Sequence, residues 1–326
     1  MRPYRKTCAA LLSVFFFGAV GTATAVAAYP DKPITIIVPY SPGAAGDVIF
    51  RMLQPQLAQE LGESLIVDYK TGAGGNIGSQ YVANSKPDGY TLLFSATNNF
   101  VINQFVYKNI GYEPFDDLYV INKVADAPAI VYISSSTGAK NIDEFRDYVQ
   151  KNKGQTNYGT PGAGTTPALS AWKLSKELGG DMLDIHYRGS APGVQALLSG
   201  EVQMYIGGYG LASAFLQYDK VRAIGIALDE RFPALPDVPT FKELGYEDTV
   251  VSNWWALAAP AKTPVEITNK IEAALAKVTS NPELREKLLA QGYVLATATG
   301  TDFRTSLPKQ ADYWKSIVKE ADLKIQ

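Results

Sequence analysis

Short apolar runs alternate with helical patterns along most of this 326-residue chain. The strand-like runs lie at 34–38, 65–67, 90–94, 130–133, 184–187, 202–206 and 221–227. The helical patterns occupy a segment that ends near Leu61, and 77–83, 142–150, 193–198, 264–279, 282–291 and 302–321. Strands that alternate with helices are typical of parallel sheets covered by helices, so the sequence predicts an α/β fold with parallel sheet. Pro55 lies inside the first helix and is expected to kink or split it near Arg51.

The chain is long enough for one large domain or two of ordinary size. It has no Pro- or Ser-rich linker, so two domains would be joined by extended crossovers. The apolar segments 124–132 and 250–258 are bounded by turn signals and are placed to enclose a middle domain. We therefore predict a first lobe of residues 29–126 and 254–326, and a second lobe of residues 127–253.

The first 28 residues have the pattern of a secretory signal peptide. Arg2, Arg5 and Lys6 precede an apolar run at 9–20, and small residues lead to Ala28. A membrane anchor is the alternative, but the run is shorter than the ~20 residues that span a bilayer. We expect cleavage just before Tyr29 and a periplasmic location.

Removal of this segment would leave 298 residues with 27 basic and 32 acidic side chains, a net charge of about −5. That balance gives no electrostatic reason to expect binding to nucleic acid or anionic lipid. Cys8, the only cysteine, would be lost, and His186 is the only histidine. Zinc sites built from paired Cys or His are therefore excluded, and we expect no metal and no cofactor.

Five loops of small and hydroxyl residues follow predicted strands, and four of them open helices. They are 39–47, 95–99, 158–166, 187–192 and 207–210. Helix N-termini carry unpaired N–H groups and partial positive charge, and glycine lets a ligand approach the backbone closely. Such loops gather at the carboxyl ends of strands, which indicates an anion-binding cleft. The alternative is that these residues only cap helices and turn the chain.

Individual side chains in these loops have two interpretations each. Asp47 either pairs with Arg51 on the first turn of a helix, or fixes the loop and accepts a ligand donor. Arg188 either clamps a carboxylate or is a solvated surface charge. The Gly-rich segment 72–78 departs from the dinucleotide-binding pattern at Ile77 and is interpreted as a turn. His186 lies in a strand-like run and is interpreted as structural, which argues against a Ser-His-Asp triad.

Seven motifs give the chain a resemblance to a known family. They are YPDKPI at 29–34, VPYSPG at 38–43 with Asp47, GAGGNIG at 72–78, PDGYTLL at 87–93, NYG at 157–159, YRGSAP at 187–192 and LPDVPT at 235–240. Over essentially the whole predicted mature chain, it resembles the Bug family, the extracytoplasmic solute receptors of tripartite tricarboxylate transporters. The resemblance implies a periplasmic binding protein fold with two α/β lobes and a ligand cleft between them. It implies a monomer that is not an enzyme, and that passes a small organic acid to membrane permease subunits.

The resemblance also implies the ligand-binding positions. They are Tyr40, Ser41, Gly43, Ala44, Ala45, Gly46, Asp47, Ser95, Thr97, Asn98, Tyr158, Thr160, Gly164, Thr165, Thr166, Arg188, Ser190, Gly208 and Tyr209.

The chain departs from the family pattern in three places. Ala44 and Ala45 stand where the family often has two glycines, and Ala168 stands where it often has histidine. Gly207 and Gly208 offer no acid to pair with the ammonium group of an amino acid. These differences predict a roomier, less polar pocket, and an aromatic carboxylate or dicarboxylate such as terephthalate as the ligand. Two other functions remain open: a receptor that presents its ligand to a membrane kinase, and a secreted α/β hydrolase.

Overall fold

Two β-sheets with helices packed against them form the described part of the protein. The computed structural model describes residues 29–162, 164–187, 190–210, 216, 219–246 and 249–323. The predicted signal peptide lies outside these residues. Within the part described, no helix has the length and apolarity needed to span a membrane.

The strands are β1 (Ile34–Val38), β2 (Leu65–Tyr69), β3 (Thr91–Ala96), β4 (Leu118–Ala127), β5 (Ile130–Ser134), β6 (Asn157–Thr160), β7 (Leu183–His186), β8 (Met204–Gly207), β9 (Val221–Ile226), β10 (Asn253–Pro260) and β11 (Val294–Leu295). The α-helices are α1 (Ala45–Leu61), α2 (Asn76–Ala83), α3 (Asn103–Val106), α4 (Pro114–Asp117), α5 (Ile142–Lys151), α6 (Thr166–Glu177), α7 (Ser190–Ser199), α8 (Val265–Thr279), α9 (Pro282–Ala290) and α10 (Gly300–Glu320). A π-helix, Asn98–Ile102, leads from β3 into α3.

The first sheet has the order β11-β4-β10-β3-β1-β2, and the second has the order β7-β6-β8-β5-β9. These two sheets confirm the predicted α/β class. The expectation of parallel sheet is wrong in part. β1 is parallel to β2 and β3, and β6 is parallel to β7 and β8. However, β10 is antiparallel to both β3 and β4, and β5 is antiparallel to both β8 and β9.

The antiparallel strands β4, β5 and β10 coincide with the predicted crossovers. β4 ends at Ala127 and β5 begins at Ile130, so the chain passes from the first sheet to the second within two residues. The chain enters β10 of the first sheet at Asn253. β5 enters the second sheet from the first and β10 enters the first sheet from the second, and each runs antiparallel to both of its neighbours. The exact limits of the two lobes stay a prediction.

Helix α1 is continuous, so the expected split at Pro55 does not occur. Proline removes one backbone hydrogen bond, to the carbonyl of Arg51, whose side chain is exposed. The opposite face of α1 is buried, with Phe50, Leu53 and Leu57 each no more than 2% exposed. Burial of that apolar face stabilises the helix against the single lost bond.

Strand β10 is buried on both faces. Its side chains point alternately into two apolar cores, which determines the face on which each residue lies. Trp255, Leu257 and Ala259 belong to the same apolar core as α1. Trp254, Ala256 and Ala258 pack on the other face, in the core that includes α10. Because side chains alternate along a strand, the first residue of β10, Asn253, lies on the α1 face.

Candidate functional site

A cleft of about 490 Å³ lies where the two sheets meet. The turn before α1, the first residues of α6 and α7, the end of β8 and both crossovers line it. Its lining residues are Gly43, Ala44, Ala45, Val48, Ala127, Pro128, Ala129, Pro161, Thr166, Pro167, Ser190, Ile206, Gly207, Gly208, Tyr209, Gly210, Val251, Asn253, Gln291, Gly292 and Tyr293. A cleft of this size suits a small metabolite.

The first turn of α1 opens into this cleft without a side-chain cap. Ala44 is the N-cap residue, and its methyl group accepts no hydrogen bond. The N–H of Ala44 donates to the carbonyl of Ser41 (3.1 Å), and the N–H of Val48 donates to the carbonyl of Ala44 (3.0 Å). The three N–H groups between them, at residues 45–47, have no carbonyl one turn earlier in the helix to accept them. Of these three residues only Ala45 lines the cleft, so its N–H group is the one that the described cleft lining offers to an anion.

Asp47 fixes the turn before α1. Its Oδ2 accepts from the N–H of Gly43 (2.8 Å), and its Oδ1 accepts from the Tyr69 hydroxyl (2.6 Å) and Arg51 Nε (3.2 Å). Burial works to raise the pKa of Asp47, but the hydrogen bonds from Tyr69, Gly43 and Arg51 outweigh it and hold the pKa below its ordinary value. The predicted pairing with Arg51 is confirmed.

Gly46 lets α1 approach the first sheet closely. A Cβ atom at this position would lie 2.2 Å from the Trp255 ring. Trp255 in turn stacks on Phe94, with ring centroids 5.7 Å apart, and meets the Tyr40 ring edge-on at 5.3 Å. The first turn of α1 therefore packs on the Trp255 ring, which is itself in contact with Phe94 and Tyr40.

The second sheet contributes two hydroxyl groups to the cleft. Thr166 and Ser190 stand at the first positions of α6 and α7. The preceding Thr165 is used locally, since its Oγ1 donates to the carbonyl of Gly162 (2.8 Å) and accepts from the N–H of Ala168 (3.4 Å). The α6 terminus therefore has a side-chain cap, which the α1 terminus lacks.

Seven of the predicted binding positions line the cleft, and eleven do not. Those in the cleft are Gly43, Ala44, Ala45, Thr166, Ser190, Gly208 and Tyr209. The described positions outside the lining are Tyr40, Ser41, Gly46, Asp47, Ser95, Thr97, Asn98, Tyr158, Thr160, Gly164 and Thr165. Arg188 lies outside the described residues. A binding role for each position stays a prediction.

The loop after β3 faces inward. Ser95 Oγ donates to Asn99 Oδ1 (2.7 Å), and Thr97 Oγ1 accepts from the N–H of Trp254 (2.8 Å). The Tyr40 hydroxyl donates to Asn99 Oδ1 (2.5 Å) and lies 3.0 Å from Asn98 Oδ1. Burial raises the pKa of Tyr40 to about 12, with the bonds from Ser95 and Asn98 opposing it. These groups join the loops after β1 and β3 into one network.

Tyr158 and Thr160 belong to a second polar group, at the pairing of β6 with β7. Thr160 Oγ1 lies 2.7 Å from His186 Nδ1, and Asp184 Oδ1 lies 3.4 Å from the same nitrogen. Burial raises the pKa of the Asp184 carboxyl, although His186, Tyr158 and Thr160 work to lower it. His186 has these local partners, but its side chain is 40% exposed, so a structural role for it stays a prediction.

Sequence reasoning missed two contributors to the cleft. One is Asn253, at the start of β10, and the other is the turn of Gln291, Gly292 and Tyr293 after α9. The segment 250–258 has the apolar pattern of a crossover, and nothing in that pattern distinguishes Asn253 as a cleft residue. The Gly292 turn carries no sequence signal beyond one glycine after a helix.

Neutral groups surround the cleft within the described ranges. The described lining contains no Asp, Glu, Lys, Arg or His. The described residues also hold no cluster of three metal-ligating side chains. Backbone N–H, hydroxyl and amide groups are therefore what the described cleft offers to a polar ligand.

Comparison with known proteins identifies the family of the chain. A model of the tripartite tricarboxylate transporter family receptor matches residues 49–323. The chain belongs to this family. The receptor is 29% identical over 314 residues to protein BugT of Bordetella pertussis (strain Tohama I), covering 95% of this chain and 96% of BugT.

Two solved structures resemble the receptor. One is the periplasmic binding protein BugD, with 30% identity, a TM-score of 0.75, and coverage of 91% of this chain and 100% of BugD. The other is MatC from Rhodopseudomonas palustris with bound malate, with 26% identity, a TM-score of 0.74, and coverage of 89% and 100%. The receptor is therefore a Bug-type solute-binding protein of a carboxylate-transport family, with the periplasmic binding protein fold, and is not an enzyme.

Proposed function

We propose that this receptor captures a small organic carboxylate in the cleft and delivers it to a tripartite tricarboxylate-type membrane transporter. The observation that carries the proposal is the uncapped first turn of α1, whose residues Ala44, Ala45 and Val48 line a cleft with no charged side chain in its described lining. Helix N-termini stabilise carboxylates in this way. Malate in the related MatC structure supports a carboxylate as the class of ligand.

An aromatic dicarboxylate such as terephthalate is the ligand that we favour. Ala127, Pro128, Val48, Ile206 and Val251 give the cleft an apolar wall that suits a ring. The described lining has no acid, so it offers no partner to the ammonium group of an amino acid. A dense set of charges, as on citrate, would be poorly matched by neutral donors alone.

Lobe closure and export complete the proposal. We propose that residues 29–126 with 254–326, and residues 127–253, close on the ligand through the crossovers, as hinged domains do. The closed form would present the permease subunits with a surface that the open form lacks. Cleavage before Tyr29 would release the receptor into the periplasm as a monomer.

Calorimetric titration of the purified receptor tests the ligand class. The titrants are terephthalate, benzoate, citrate and glutamate. We expect terephthalate to bind most tightly and glutamate to give no binding heat. Tight citrate binding with no heat from either aromatic acid would overturn the proposal of an aromatic ligand. Binding of glutamate alone would overturn the proposal that the ligand is a carboxylate without an ammonium group.

A further inference from the structure

Asn253 lines the cleft, and its side-chain oxygen has no hydrogen-bonding partner among the described residues. Its Oδ1 is shielded from solvent and receives no hydrogen bond. A buried polar atom without a partner is destabilising. Natural structures retain such groups where something outside the resting structure satisfies them. A bound ligand is the partner that a position in the cleft suggests.

Asn253 lies on the face of β10 that packs against α1. Gly46 of α1 lies against the Trp255 ring. Asn253 is two residues before Trp255 on the same face of β10, which is a step of about 7 Å along the strand. Asn253 and the residues Ala44 and Ala45 of the α1 turn line the same cleft, so one ligand bound there can contact both.

The chemistry of the amide fits a second oxygen group better than a cation. An asparagine can turn to offer either its Nδ2–H donors or its Oδ1 acceptor, and which atom occupies which position is assigned from its surroundings. With a carboxylate at the far end of the ligand, the amide donates. It has no charge with which to hold an ammonium group.

We propose that Asn253 determines specificity by binding the second carboxylate of a dicarboxylate whose first carboxylate lies at the N-terminus of α1. This inference rests on the proposed function and names the residue that separates dicarboxylates from monocarboxylates. Asn253 is not among the positions that the family resemblance implies.

Matched pairs of acids test the role of Asn253. The wild-type receptor and its Asn253→Leu variant are titrated with terephthalate and benzoate, and with malate and lactate. Hydrogen bonds to charged groups contribute about 1.5–3 kcal/mol, so Asn253→Leu is expected to weaken binding of the dicarboxylate by about tenfold or more. Binding of the matched monocarboxylate is expected to stay unchanged.

Asn253→Asp provides a variant of the same shape and size. At neutral pH its carboxylate repels the second carboxylate of the ligand, so dicarboxylate affinity is expected to fall further than in Asn253→Leu. The matched control is Asn122→Leu. Asn122 also lies in the first sheet with a buried Oδ1 that receives no hydrogen bond, but it does not line the cleft. We expect Asn122→Leu to leave every affinity unchanged.

The outcomes separate this inference from the proposed function. Equal losses for both members of a pair, or no loss for either, would overturn the role of Asn253 while carboxylate capture stands. A wild-type receptor that binds none of the four acids would overturn both. A selective loss of dicarboxylate binding in both Asn253 variants supports the inference.

Discussion

Asp47 shows how one side chain holds the binding turn without lining the cleft. Both of its oxygens accept hydrogen bonds, from Gly43, Tyr69 and Arg51. The pairing with Arg51 was predictable because residues four apart meet on a helix. The Tyr69 contact was not, because it joins residues 22 positions apart and depends on how β2 lies beside α1.

Replacement of Asp47 by asparagine should destabilise the receptor in a pH-dependent way. The pKa of Asp47 is lower in the folded protein than in the unfolded chain. Its stabilising effect is therefore complete above the ordinary Asp pKa of about 4, and is lost as the pH falls through the folded value. Urea denaturation should show that Asp47→Asn lowers the free energy of unfolding by about 1.5–3 kcal/mol at neutral pH and by less in acid.

Asp68→Asn is the control for this measurement. Asp68 pairs with Lys70 at 3.1 Å, but its side chain is 46% exposed. Exposed ion pairs contribute about 0–1 kcal/mol, so this variant should change stability little at any pH. Equal effects of the two variants at neutral pH, or a loss for Asp47→Asn that does not shrink in acid, would contradict the role assigned to Asp47.

At the scale of elements, local patterns predicted most helices and strands but not their pairing. β1 and α1 lie where apolar periodicity placed them. β4 and β10 were expected only as crossovers, because an apolar run does not reveal which strands will flank it. α1 packs on β10 through the contact of Gly46 with Trp255, two residues that are far apart in the sequence. Nothing near either residue in the sequence indicates that contact.

Gly46→Ala tests whether α1 depends on this close contact. In an ordinary helix, replacing glycine by alanine stabilises by about 0.5–1 kcal/mol. Here the added Cβ would meet the Trp255 ring at 2.2 Å. Overpacking costs about 1–3 kcal/mol, so thermal denaturation should show a less stable variant, and calorimetry should show weaker binding of the panel's tightest acid.

Gly208→Ala adds the same methyl group elsewhere in the cleft region. A Cβ at Gly208 meets no atom within 4 Å. This variant should keep the wild-type melting temperature. A Gly46→Ala receptor as stable as wild type would show that α1 can shift on the sheet without loss, and would remove the reason given for a glycine at this position.

At the scale of the whole molecule, Tyr209 and Gly292 bring the two sides of the cleft together. Tyr209 follows β8 of the second sheet and meets the Phe232 ring edge-on, with centroids 5.2 Å apart. Gly292 lies before β11 of the first sheet, and both residues line the cleft. Leu289 and Val294, on either side of Gly292, pack against the core that contains Phe232. This contact therefore sets how closely the two sides approach at one edge of the cleft.

Gly292→Ala should weaken ligand binding by keeping the two sides of the cleft apart. The added Cβ would lie 2.7 Å from Tyr209 Cβ, and Gly292 has a φ of +86°, which strains alanine. Gly245→Ala separates these two effects, since Gly245 has a φ of +77° and no atom within 4 Å of its Cβ position.

Both variants should lose about 1 kcal/mol of stability from the left-handed backbone. Only Gly292→Ala should lower the affinity for the panel's tightest acid, on the order of tenfold, or about 1.4 kcal/mol. Equal affinities of the two variants would show that the cleft closes without the contact between Tyr209 and Gly292.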